Sequence, residues 1–170
     1  SSADVTRASG AVTVDVAGFV YAAGTFAIEK SDTKSGHDLV GPNPAQTPDG
    51  IDDHITTELR LGATLTSAFI GVNRGTADAM GFSFTGGQIG VYIQKVTDQT
   101  LTTQAASKLA AKGSLSSASV VGISALDLSV TNLNFEVNRT GQTLDGITVA
   151  LGGGQSQDMT FGSSADVTRA

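Results

Sequence analysis

The chain contains no cysteine and no tryptophan, and its 170 residues include only three prolines and two tyrosines. Without cysteine there can be no disulfide, no thiolate nucleophile and no cysteine-based zinc site, a composition compatible with a secreted bacterial protein. Charged residues make up 15% of the chain, low for an ordinary globular domain. The formal net charge is −6 and no basic patch occurs, which argues against nucleic acid as a partner. No apolar run approaches the ~20 residues of a membrane-spanning helix, so no membrane span is expected, and no signal-peptide pattern is visible. His-Glu-x-x-His, Gly-x-Ser-x-Gly and Gly-x-x-x-x-Gly-Lys-Ser/Thr are all missing, and with them the familiar signatures of zinc, serine and phosphate-loop enzymes. The scarcity of aromatics, 5% of residues, weakens any sugar-binding reading, because sugar faces stack on aromatic rings.

Glycine, by contrast, occurs 21 times, and the runs between glycines are rich in Thr, Ser, Val, Ala and Ile. That composition predicts an all-β chain with many tight turns. A second feature is stronger. Ser1-Ser2-Ala3-Asp4-Val5-Thr6-Arg7-Ala8 returns unchanged as Ser163-Ser164-Ala165-Asp166-Val167-Thr168-Arg169-Ala170, 162 positions later. Eight identical residues do not arise readily by accident in so short a chain, so residues 1–162 are read as one full period of a tandem array and residues 163–170 as the start of the next.

A weaker repeat lies inside the long one. Gly18–Lys30, Gly81–Ile93 and Ala125–Val137 place apolar residues at matching positions: Phe19, Phe82 and Leu126, then Phe26, Ile89 and Leu133. Their upstream flanks, Gly10–Val14, Gly62–Thr66 and Gly113–Ser117, also match. Between the two apolar sets the alternation changes phase at Gly24, Gly86-Gly87 and Asn132, residues that tolerate positive φ. Each segment therefore reads as strand, tight turn, strand, and the period as three degenerate β units. A unit of ~54 residues would bury only about 60% of its unfolded surface, so it needs neighbours to cover it.

Two stretches depart from this pattern. Residues 31–58 hold all three prolines, both histidines and several aspartates, and read as a long loop excursion. Thr97 to Lys112 reads as a short helix capped by Thr97 or Asp98, although its end also matches the strand preceding Gly62.

Candidate site residues are few. Asp49, Asp52 and Asp53 could form a weak calcium site, since clustered carboxylates suit a hard cation. The simpler reading of the same cluster is a solvated turn, because its Asp-Gly-Ile form recurs at Asp145-Gly146-Ile147. His37 and His54 would have to converge from one loop to form an acid–base or zinc site. Gly152-Gly153-Gly154 reads as a wide turn, and Asn138-Arg139-Thr140 matches the N-glycosylation pattern. Strand-borne acids Asp15, Glu29, Asp127 and Glu136 are scattered, which argues against a polysaccharide-degrading β-helix. No catalytic residue and no cofactor is expected.

The segment Ala125–Asn138, with its relatives at Gly18 and Gly81, resembles the tandem β-rich repeats of very large bacterial extracellular proteins of the adhesin type. That resemblance implies export to the cell surface or matrix and a structural or adhesive role. The glycine-aspartate nonapeptides of calcium-rich members are absent, so calcium dependence is not implied. The expected architecture is an elongated β-solenoid-like stack, with β-sandwich repeat domains as the alternative. The expected function is a structural repeat of a giant extracellular or cell-surface protein or fibre, its partners being adjacent identical repeats that stack end to end into a stiff rod. The alternative is a carbohydrate- or surface-binding module that presents residues 31–58 to surface glycans.

Overall fold

The computed structural model describes residues 2–34, 54–98, 107–162 and 167–169. Among these residues there is no helix. Six long strands, β1 (Ser2–Val16), β2 (Val20–Lys34), β3 (His54–Val72), β4 (Met80–Asp98), β5 (Lys108–Val121) and β6 (Ser129–Arg139), follow one another in a single antiparallel sheet. A short hairpin, β7 (Thr148–Gly152) and β8 (Gln155–Asp158), lies across one face, and β9 (Val167–Arg169) pairs with β6. The sheet is open, in the order β1-β2-β3-β4-β5-β6-β9. The helix reading of residues 97–112 is corrected at both ends: Thr97 and Asp98 close β4, and Lys108–Lys112 open β5, paired with Gly90–Gln94. Ladder pairing outweighs the modest helix propensity of the Ala- and Lys-rich sequence. The excursion is likewise shorter than residues 31–58, because Ser31–Lys34 extend β2 and His54–Glu58 open β3.

The three aligned segments fall at β2, β4 and β6, the second strands of three successive hairpins, and their flanks fall in β1, β3 and β5. The first hairpin turns at Ala17 and Gly18, both at positive φ, as a turn matched to strand twist requires. Phe19 N–H donates to Val16 O, and Gly18 N–H donates to the Asp15 carboxylate.

No turn interrupts the strands at Gly24, Gly86 or Asn132. Each lies inside a continuous strand, which corrects the strand–turn–strand reading. In β4 and β6 the change of phase is real and is absorbed by Gly86 and Asn132, at φ 58° and 55°. In β2 there is no change of phase; the register instead slips at Ala23/Gly24, where Thr66 of β3 is the unpaired residue. Thr66, Gly86, Ser116 and Asn132 line up across the sheet, the first three skipped by the pairing on both sides and Asn132 by its pairing with β5. This line keeps most of the apolar side chains of β3–β6 on one face. Phe82 and Phe84 before it, and Ile89, Val91 and Ile93 after it, share that face.

The two faces differ sharply. One carries the core, in which the segment 144–161 covers Tyr92 and Ala110 with Leu144, Val149, Met159 and Phe161. Small residues in the sheet admit this cover. Ala27, Gly62 and Gly90 lie in one cross-strand row, and a Cβ on Gly62 would meet Ala150 O at 1.9 Å. The opposite face is apolar and open, with Val12, Val14, Phe26, Ile28, Phe82 and Leu133 all exposed.

Candidate functional site

The sequence-predicted ion site cannot be placed, because Asp49, Asp52, Asp53 and His37 lie outside the described residues. The His54 backbone begins β3 opposite Asp98. Among the described residues no cluster of three or more His, Asp or Glu could hold a metal. Asp127 is not strand-borne as expected; it sits in the exposed loop of residues 122–128. Gly152, Gly153 and Gly154, all at positive φ, form the β7–β8 turn. Asn138 of the glycosylation pattern is fully buried. Its Nδ2 donates to Gln142 O (2.9 Å), and its Oδ1 accepts from Thr140 N–H (3.1 Å) and Thr140 Oγ1 (2.7 Å). That side chain organises the chain's exit from β6 and is withheld from modification in the folded protein.

The largest polar constellation was not foreseen. It is a ladder on the core-bearing face, built by β1–β4. Arg7 pairs with Glu29, Arg60 lies 3.8 Å from the same carboxylate, and Arg60 Nη2 donates to Glu58 at 2.8 Å. Tyr92 Oη donates to the other oxygen of Glu58 at 2.8 Å. The Tyr92 ring is buried under the 144–161 segment. Burial, and next the hydrogen bond to Glu58, push its phenol well above the ordinary tyrosine range. The Asp158 carboxyl is held below its usual range, chiefly by the Thr160 hydroxyl. The period-two spacing of Glu58 and Arg60 on β3 could have revealed one charged face, but only the strand register brings Arg7, Glu29 and Tyr92 to it. The ladder's carboxylates are engaged by arginines and a phenol, an arrangement that ties strands together and presents no unpaired acid–base couple.

The remaining functional features are the sheet's edges. Among the described residues β1 has a partner strand on one side only, β2. At the other end, the repeated octamer supplies β9, with Arg169 opposite Glu136, Thr168 opposite Val137 and Val167 opposite Asn138. Its twin in β1 sits on β2 with Arg7 opposite Glu29, Thr6 opposite Lys30 and Val5 opposite Ser31. In both places the register sets the arginine position opposite a glutamate. β9 lies six antiparallel steps from β1, an even number, so it runs in the same direction as β1. Opposite residues lead from Arg7 through Glu29, Arg60, Tyr92, Ala110 and Asn138 to Val167. Val167 is the repeat of Val5, so the row re-enters the octamer on the same face, two residues from where it began.

Comparison with protein-family models, curated proteins and solved structures finds no match. The fold and site define an all-β protein organised as one open antiparallel sheet of hairpins.

Proposed function

We propose that this chain is a structural repeat of a large extracellular or cell-surface fibre, in which successive copies continue one another's sheet and form a stiff rod serving adhesion or matrix. The role is non-catalytic, and the partners are adjacent copies of the same sequence. The observation that carries this reading is the docking of the repeated octamer on β6 in the orientation its twin holds on β2. An even strand count and a preserved face are what indefinite repetition by translation requires. The low charge, the Ser/Thr-rich polar surface and the resemblance to adhesin-type repeats support an exported protein. The array is then a solenoid-like stack whose strands lie across the long axis.

Proteins of one, two and four periods, measured by small-angle X-ray scattering, test the proposal. With strands ~4.8 Å apart, six strands per period add roughly 29 Å of length at constant cross-section. A particle that thickens instead of lengthening, or whose periods move independently, would contradict it.

A further inference from the structure

We infer that the joint between copies is an antiparallel pairing of β6 with β1 of the following copy in a single register, and that Glu136 selects this register. The inference rests on the repeat reading and adds the partner, its alignment and the residue that fixes it. β9 engages only residues 136–138 of the eleven-residue β6. Continued in the same register, β1 of the next copy places Ala8 opposite Phe135 and Ser9 opposite Asn134.

Charge explains the choice of register. Within the sheet Glu29 lies between two arginines, Arg7 and Arg60. Among the described side chains of the six long strands, Glu136 has its cation on one side, Lys112 at 3.1 Å. The observed register puts the octamer arginine on its other side. Across the joint the row then reads Lys112, Glu136, Arg7 of the next copy, Glu29, Arg60: five alternating charges. A slip of one residue turns the apolar side chains of β1 to the wrong face. A slip of two keeps the faces but sets Glu136 opposite Val5 or Ser9 and leaves the arginine opposite a neutral asparagine, Asn134 or Asn138 respectively. Only the observed register completes the ladder, so the edge strand is matched to its own repeat over other edges.

The absence of native cysteine makes a direct test available. Val137→Cys with Thr168→Cys introduces thiols at opposed positions, and opposed antiparallel Cα atoms lie about 4.5–5.5 Å apart, within disulfide reach. Under oxidised glutathione the pair should close within the chain, at least tenfold faster than Val137→Cys with Asp166→Cys, which reports the two-residue slip. Glu136→Lys should slow closure of the 137–168 pair at least threefold, and adding Arg169→Glu should restore most of it. Ala8→Cys with Ile28→Cys, opposed within the first hairpin, should close at an unchanged rate in the Glu136→Lys background, showing that the sheet is intact. Equal closure of the 166 and 168 pairs, or indifference to Glu136→Lys, would overturn the inference. If the 137–168 pair fails to close while a two-period protein still lengthens by one period, the joint is wrong and the repeat reading stands. If the pair closes and the two-period protein does not lengthen, the repeat reading falls and the pairing stands.

Discussion

Glycine 62 shows how much one absent side chain decides. The 144–161 segment can lie on the sheet only because Ala150 O approaches where a Cβ would stand. Gly62→Ala should destabilise the fold by about 2–3 kcal/mol, as overpacking does, and expose the Tyr92 core, seen as a lower urea midpoint. Asn138 acts in the opposite way, by what it supplies. Asn138→Ala leaves Thr140 N–H without its partner and Gln142 O with only the Thr140 hydroxyl, and should cost about 2 kcal/mol. Tyr92 gives a pH signature. Its phenol keeps its proton in the folded state to a higher pH than in the unfolded chain. Its contribution is thus fully present below about pH 10 and fades as pH rises through and beyond that value. Thermal melts of the wild-type protein should lose stability above pH 10 more steeply than those of Tyr92→Phe, which lacks the group; parallel alkaline slopes would contradict this.

At the scale of elements, much was legible in the sequence. Composition predicted an all-β chain, and the matched segments from Gly18, Gly81 and Ala125 run into the second strands of hairpins, the first and third from the turn or loop just before. The phase change at Gly86 and Asn132 was visible, but a turn and an in-strand irregularity leave the same trace in a sequence. Only long-range pairing separates them. Tyr21 sits where Phe84 sits in the second segment but points to the core-bearing face, with the Arg74 guanidinium 3.3 Å from its ring centroid, while Phe26 and Ile28 lie on the other face. The β7–β8 hairpin was invisible as a cover because nothing local says that Val149 and Met159 meet Tyr92 some 60 residues away. The candidate ion cluster was a matter of composition alone, and the charged ladder, assembled from four strands, required register to be seen.

At the scale of the whole molecule, the unequal faces carry a consequence. The open apolar face spans roughly 29 Å across the strands and about 50 Å along them, on the order of 1,000 Å². Patches of that size mark interaction surfaces. The folded single-period protein should therefore bind a hydrophobic dye such as anilinonaphthalene sulfonate, and Phe26→Lys with Ile89→Lys, two positions opposed across β3 on that face, should cut the signal at least twofold without abolishing the sheet's circular dichroism. The sequence pointed to repetition through its octamer; the sideways, strand-by-strand direction proposed for it rests on where β9 lies.

Cryo-electron microscopy of a protein with several tandem periods addresses that claim most directly. The expected result is one uninterrupted sheet, strands ~4.8 Å apart across every joint, advancing roughly 29 Å per 162-residue period. Separate bodies at variable spacing, with no strand pairing between β6 and the β1 that follows, would contradict it.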